Sequence, residues 1–409
     1  MDRNGEILIV GAGVAGLATA LALHRLGLKS IILESSSSLR VSGYGILIWA
    51  NAWRALDALG VGHQLREHHL LLHEVQAFST ASGVATSRMP LLMENGNNEV
   101  RCLIRKVLLE TLANELPQGT IKYSSKVVHI EELGDLKMVH LANGSIIKAK
   151  VLVGCDGVNS VVAKWLKLSK PVHTQRAAVR GIAEFLGGHG LEPKMYRHYG
   201  NGIRHGFVPC DDQSVYWFMT FMSSEHMDKE IKNNPEKVKK FVLDNIGNVP
   251  TMSKTVIEKT ELNNISVVPL KMRWPWDMLL KNVSKDNVCV AGDALHPMTP
   301  EIGQGGCSAL EDAIVLARCL GQALTGRTDE KTGRYGGVVY RRIKDGLEKF
   351  AKERRWRSFI LITTTYLVGK MQQSRGSLMR FMREKLFSGI VIQAQLRLAA
   401  FDCGKISHI

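Results

Sequence analysis

A chain of 409 residues with 45% hydrophobic and 22% charged residues has the composition of a soluble globular protein, large enough for two domains or for one carrying a long insertion. Its formal net charge of +15 is the unusual figure, and anionic substrates, an anionic membrane surface or nucleic acid could each account for it. Seven scattered cysteines with no C-x-x-C pair argue against a disulfide framework or a zinc site, and for reduced thiols in a cytoplasmic setting. Much of the positive charge lies late, in Arg341-Arg342-Ile343-Lys344 and Lys352-Glu353-Arg354-Arg355-Trp356-Arg357. Acidic residues interleave there at helical spacing, the pattern of a solvated helix face, so nucleic acid is not an expected partner. A strand pattern starts within a few residues of Met1, so no leader peptide is expected. The apolar stretch 359–368 is too short to span a bilayer.

The first element is an apolar run, Ile7-Leu8-Ile9-Val10, that empties into Gly11-Ala12-Gly13-Val14-Ala15-Gly16. In G-x-G-x-x-G, the first glycine makes the tight turn, the second admits a pyrophosphate, and the third lets helix pack on strand. The phosphates then lie on the positive end of the helix that Val14 and Ala15 begin. Such turns also arise for packing alone, but here a second apolar run, Ser30-Ile31-Ile32-Leu33, ends in Glu34. That is about 20 residues on, where a ribose hydroxyl needs a carboxylate. An adenine dinucleotide is expected.

After Arg40, Gly43-Tyr44-Gly45-Ile46-Leu47-Ile48-Trp49 reads either as an irregular strand running close to a bulky ligand or as an ordinary turn. Residues 51–60 have the spacing of a short helix. A first excursion from the nucleotide domain follows over 73–98, with a strand at 74–78 and a turn at 94–98. Over 100–112 a leucine period of 3.6 predicts an amphipathic helix with basic residues at its start. Cations there oppose the helix dipole, so Arg105 either faces an anion or is a plain surface arginine. Residues 121–128, 138–141 and 146–147 alternate like an antiparallel ribbon, turning at Asn143-Gly144.

Residues 150–154 form a buried strand that ends in Cys155-Asp156-Gly157-Val158-Asn159-Ser160. An acid and a glycine at such a strand end lie where open α/β sheets bind ligands. Asp156, like Ser160, could equally cap a helix. From 171 to 286 the texture changes: 196–200, 206–209 and 214–222 read as a β-meander, 228–246 as a charged helix and 187–190 as a turn. Residues 287–294 restore the parallel-strand pattern and close on Gly292-Asp293. A rigid loop with Pro300 and Gly303-Gln304-Gly305-Gly306 then opens a helix at 308–320. The Gly305 and Gly306 amides, with the helix dipole behind them, would stabilise negative charge on a planar ligand. His296 has no second ligand at metal spacing, so no metal is expected.

This gives a nucleotide domain in three pieces (1–72, 99–170 and 287–343) and a substrate domain in two (73–98 and 171–286). Two or three C-terminal helices over 344–409, with apolar stripes such as Leu378, Phe381, Met382 and Leu386, should pack on the nucleotide domain. A membrane contact is not the expectation. The basic and apolar mix of these helices keeps a peripheral one as the alternative.

The three glycine and acid motifs, in this order, resemble the single-component FAD-dependent aromatic hydroxylases, the class A flavoprotein monooxygenases. The likeness is to the plant branch similar to salicylate hydroxylase, urate hydroxylase and zeaxanthin epoxidase, and it is loose only over 171–286. It implies an α/β fold: a Rossmann-type FAD-binding domain of the p-hydroxybenzoate hydroxylase kind, an inserted mixed β-sheet substrate domain and C-terminal helices. Carried onto matching positions, Glu34 holds the adenosine ribose, and Arg40 and Arg105 approach the pyrophosphate. Gly45 runs beside the cofactor, and Asp156 and Gly157 stand where FAD and NAD(P)H meet. Gly292 and Asp293 hold the ribityl or pyrophosphate part. Pro300 lines the flavin pocket, and the amides from Gly303 through Gly305 and Gly306 face the flavin N1/O2 edge. One departure stands out: Glu301-Ile302, where the family more often has Asn-Leu, adds a carboxylate beside the oxygen site.

The resemblance also implies the reaction. NAD(P)H reduces FAD, O2 adds at C4a, and the hydroperoxide hydroxylates or epoxidises a small planar substrate, with water as the other product. No second dinucleotide fingerprint occurs, so NAD(P)H would bind transiently, and no protein acid or base is assigned. Trp49, Arg204, His205, Tyr216 and Phe218 are candidates to line the substrate cavity, with core packing as the alternative for each. An FAD oxidase or dehydrogenase on the same scaffold is the rival enzyme. A non-catalytic binder such as a Rab GDP-dissociation inhibitor would lack the Asp-Gly and Gly-Gln-Gly-Gly elements. Substrate identity and oligomeric state are not written in the sequence.

Overall fold

The computed structural model describes residues 4–40, 44–91, 98–200, 202–222, 231, 233–325, 335–373 and 388–406. Gly43, the turn at 94–97, Leu378, Phe381, Met382 and Leu386 lie outside them.

In the strand Asn4–Val10 the run Ile7, Leu8, Ile9 and Val10 is buried on both faces, as a central parallel strand must be. It pairs in parallel with Ser30–Leu33 on one side and Ile146–Gly154 on the other. Val288–Val290 extends the sheet beyond Ile146–Gly154. Ile121–Lys122 extends the opposite edge, parallel to Ser30–Leu33, rather than joining the ribbon expected for it. Two residues of alternation are too short to choose a partner. The ribbon itself is Val127–Leu133 and Leu136–Leu141, and it pairs with the first half of Ile146–Gly154. One strand therefore changes from antiparallel to parallel pairing along its length.

The seven strands of the second sheet run Ile265–Met272, Val172–Glu184, Ser214–Met222, Ile203–Pro209, Lys194–Gly200, Glu74–Ser79 and Ala85–Pro90. The excursion at 73–98 thus joins the later segment, through parallel pairing of Glu74–Ser79 with Lys194–Gly200. Helices Pro235–Asn245 and Thr251–Lys259 cover one face, packing Val242 and Ile257 into the same core as Trp217 and Phe221 of the sheet. Val172–Glu184, the longest strand, gives no clean alternation in sequence. A register shift between His173 and Ala177, with Gln175 at φ 59°, interrupts the period.

Helix Val14–Arg25 packs its small and leucine side chains between the parallel sheet and helix Gly305–Thr325. Against the latter lies a helix of 39 residues, Tyr335–Gln373, which begins well before the expected position 344. The basic run at 352–357 does not form a fully solvated face, which corrects the expectation. Arg354 is 0% exposed and Arg357 only 8%, because the helix turns both inward onto Glu311 and Asp312.

Candidate active site

The first wall of the site is the turn after Asn4–Val10. Gly11 sits at φ 100°, where a side chain would also meet the Cys155 carbonyl oxygen at 2.6 Å. At Gly16 a Cβ would stand 1.9 Å from the Gly11 oxygen, so the helix starts flush on the turn. Gly13 ends that turn with no side-chain cap on the helix, and nothing lies within 4 Å of where its Cβ would be. The first-turn amides of Val14, Ala15 and Gly16 have no partner within the helix and face this opening.

Glu34 closes the turn from below. Its buried carboxylate accepts from the Ala12 amide at 2.8 Å and the Ser36 amide at 2.9 Å, and Arg40 reaches it at 3.3 Å. Burial raises its pKa, but these donors outweigh that effect and hold it below the usual carboxylate range. Arg40 is itself mostly exposed, and its carbonyl accepts from Arg105 at 3.0 Å. Arg105 starts helix Arg105–Asn114 and turns into the cavity. Burial lowers its pKa, and the charge of Asp293 opposes that shift.

At the end of Ile146–Gly154, Asp156 accepts from the Val161 amide at 2.6 Å, and Ser160 accepts from Ala163 at 2.8 Å. Both therefore cap helix Val161–Trp165. The other Asp156 oxygen is buried without a partner, and burial pushes this carboxyl upward. Gly157 stands on the cavity wall. From the third motif, the Gly292 amide donates to Asp312 at 2.7 Å. Asp293 lies deep in the molecule, yet the cavity exposes its surface. Its carboxyl is pushed up by burial and drawn back by His296, Arg180 and Arg105. Pro300, Gly303, Gly305 and Gly306 complete this side.

Behind the glycine loop lies a charged network that the sequence reading missed. Asp312 takes His296 at 2.7 Å and Arg354 at 2.6 Å. Glu311 takes Arg354 and Arg357, each at 2.7 Å, and Asn51, which also donates to Gln304 at 2.9 Å. His296 is thus a buried structural partner, and the long C-terminal helix is tied to helix Gly305–Thr325 and, through Glu311 and Asn51, to Gln304 of the glycine loop.

The opposite wall is the bare face of the second sheet. Register places Ala178, Thr220 and Arg204 side by side on adjacent strands, and Arg180 beside Phe218. The Arg204 guanidinium lies 4.9 Å from the Phe218 ring centroid, and its Nε and Nη1 have no hydrogen-bond partner. Arg197 is buried and held by Gln395 at 3.3 Å. Burial pushes the Tyr216 hydroxyl up to about 12, so it stays a neutral donor. Between the two walls the cavity measures about 430 Å³. Of the five substrate candidates, Arg204, Tyr216 and Phe218 line it. Trp49 does not: it is fully buried behind the loop, with its indole nitrogen 3.2 Å from a Cβ placed on Gly303. His205 is likewise in the sheet interior, between His198 and Phe207. Arg180 and Arg197 were not foreseen, since single arginines in strands carry no local signal.

Glu301, the departure noted in the sequence, is fully buried and ion-paired with Arg176. The pair separates the first cavity from a second of about 490 Å³: Glu301 lines one, Arg176 the other and Thr299 both. Room and charge in the first cavity suit a nucleotide, for Gly13 and Gly157 leave open space and Arg105 supplies a cation.

The model of the FAD binding domain family matches residues 4–333. The chain is 50% identical to Monooxygenase 2 of Arabidopsis thaliana, over 99% of this chain and 100% of that protein. It is 36% identical to Monooxygenase 1 of the same plant, over the same shares. The fold matches that of Klebsiella pneumoniae HpxO solved with FAD and uric acid, at a TM-score of 0.81 and 19% identity, covering 98% of each chain. The chain belongs to the FAD-binding-domain family and is an FAD-dependent monooxygenase with a mixed α/β fold.

Proposed function

We propose that the protein holds FAD along the first cavity and uses NAD(P)H and O2 to hydroxylate or epoxidise a small planar substrate bearing an acidic or anionic oxygen. The observation that carries the substrate class is the pair Arg197 and Arg204. Both are buried on the wall facing the glycine loops, and among the described residues no carboxylate pairs with either. Of the acids lining the cavity, Glu301 is already taken by Arg176, and Asp293 faces Arg105 and Arg180. An uncompensated buried charge costs several kcal/mol, and an anionic group on the substrate offsets that cost. The planar, acidic uric acid in the HpxO complex supports the same class.

In this reading the amides at Gly13, Val14 and Ala15, together with Arg105, hold the pyrophosphate. Glu34 accepts from the ribose and Asp293 from the ribityl chain. The Gly305 and Gly306 amides at the helix start donate to the N1/O2 edge of the ring, Gly303 stands beside it with its own amide held by the Pro300 carbonyl at 3.2 Å, and Pro300 bounds it. When bound, FAD supplies the redox chemistry with NAD(P)H and O2. The chain contributes orientation and water exclusion: Arg197 and Arg204 fix the anionic end of the substrate, and Tyr216 donates to it.

The test is a panel of phenols, aromatic acids and purines, with NADPH or NADH under ¹⁸O-labelled O2. We expect one labelled oxygen in the product. Arg204→Gln should raise KM for an anionic substrate by roughly tenfold to a hundredfold, the loss of one charged hydrogen bond. Turnover without label would replace this reading by an oxidase. An unchanged KM in Arg204→Gln would remove the anionic substrate class.

A further inference from the structure

The helix Tyr335–Gln373 leaves one row of side chains uncovered. Trp356, Ile360 and Leu367 are 59%, 45% and 52% exposed, at spacings that put them on one face. Lys352 and Lys370 stand exposed at the two ends of the same row. Beside it packs the short helix Pro275–Leu280, where Trp276 and Leu280 are 60% and 81% exposed, with Trp274 just before it. Ring contacts join the two helices into one patch: Trp276 and Trp356 each lie 5.6 Å from Phe359, and Trp274 lies 5.6 Å from Tyr366. A contiguous apolar surface holding three tryptophans marks an interaction site rather than ordinary surface.

The rim of the patch is positive. Lys281, Lys352, Arg355 and Lys370 surround it. Beside the tryptophans, Asp277 is buried under Ser169 and Glu353 is paired with Arg318 at 2.7 Å, while the exposed acids of the same face, Glu348 and Asp345, stand one and two turns before Lys352. We propose that this face docks on an anionic lipid surface. Tryptophan carries a large apolar ring and one N–H donor, the combination that suits the boundary between acyl chains and headgroups. A second copy of the chain is the weaker occupant. Lysine is depleted from protein–protein interfaces, and two copies at +15 repel each other where an anionic plane attracts. Among the described residues no helix is long and apolar enough to cross a membrane, so the contact is peripheral. Trp274, Tyr366 and Lys370 also form part of the wall of the second cavity, which places that cavity beside the docked surface.

The test uses full-length, flavin-loaded protein in flotation at physiological salt. One set of vesicles is phosphatidylcholine alone, and the other contains about one third phosphatidylserine. We expect flotation with the anionic vesicles only, and quenching of tryptophan emission by brominated lipid. Trp276→Ser with Trp356→Ser should weaken binding at least about tenfold through lost apolar burial. Lys352→Glu with Lys370→Glu should do so by a similar factor through lost attraction. Retained flavin absorbance and unchanged circular dichroism report that each variant is folded. Full recovery in the soluble fraction overturns the proposal, as does flotation that neither folded variant reduces. A concentration-dependent dimer that the tryptophan variant abolishes, seen without flotation, would assign the patch to a second copy instead.

Discussion

Replacing Arg354 by methionine removes the cation that, among the described residues, joins Glu311 to Asp312. The guanidinium is 0% exposed, with Nε 2.6 Å from Asp312 and Nη2 2.7 Å from Glu311. It also lies 5.2 Å from the Phe401 ring, which ties the C-terminal segment to the network. Deleting one partner of a buried ion pair costs about 3–5 kcal/mol. Here Asp312 keeps His296 and the Gly292 amide, and Glu311 keeps Arg357 and Asn51. The expected loss is therefore at the lower end, about 3 kcal/mol, or a fall in Tm of about 3–4 °C in a chain of 409 residues. The pH dependence gives a second check. Burial raises both carboxyls, but Arg354 and its neighbours outweigh it, so both titrate below their ordinary values. Their contribution is present above the unfolded carboxylate values and lost as the pH falls through the lower folded ones. Without Arg354 part of that lowering is lost and the folded values rise. The deficit of the variant is then full at neutral pH and shrinks on acidification. Thermal and urea unfolding at neutral pH and at about pH 5, followed by tryptophan emission, measure both quantities. A deficit under about 1 kcal/mol, the range of exposed pairs, or one that does not change with pH, would refute the reasoning.

Gly16→Ala puts a Cβ 1.9 Å from the Gly11 carbonyl oxygen, a backbone atom that cannot swing aside. We expect a loss of about 1–3 kcal/mol together with poorer flavin retention, read from the urea midpoint and the absorbance of the purified protein. Glu301→Gln leaves Arg176 buried without its counter-charge, so stability should fall by about 2 kcal/mol or more, again measured by urea unfolding. Gly369→Ala touches the same pair: its Cβ meets the end of the Arg176 guanidinium at 2.9 Å and the Glu301 carboxyl carbon at an ordinary 3.5 Å. There a gain in helix propensity of up to about 1 kcal/mol should leave the midpoint unchanged or raised, and a clear fall would show that the pair cannot yield.

The nucleotide-binding half of the fold was legible because its signals are local. The turn at Gly11, the strand ending in Glu34 and the loop from Gly292 to Gly306 are each complete within a few residues. Backbone geometry there demands particular residue types, as the φ of 100° at Gly11 does. The second sheet was legible only where alternation survives, in the meander from Lys194–Gly200 to Ser214–Met222. Its longest strand was hidden by the register shift after His173, and helix Thr251–Lys259 by its shortness and weak pattern. The long helix was visible but its inner face was not. A row of arginines looks solvated until a partner is known, and Glu311 and Asp312 stand more than 40 positions away from Arg354 and Arg357.

The same physics explains why Glu301 could be singled out but not interpreted. A carboxylate in the loop from Pro300 to Gly306 is anomalous by itself, because burial disfavours its charge and no local residue compensates it. Its counter-charge, Arg176, lies on the other sheet, and the two are brought together only when the second sheet closes over the loop. The anomaly in the sequence is therefore one half of a pair that spans the junction of the two sheets. Gly369 supplies the third side by letting the long helix approach within reach of both members. Exchanging Glu301 for asparagine would strand Arg176 between the two cavities. The departure is thus physically coherent only together with an arginine at 176, and the two positions should be read, and altered, as one unit.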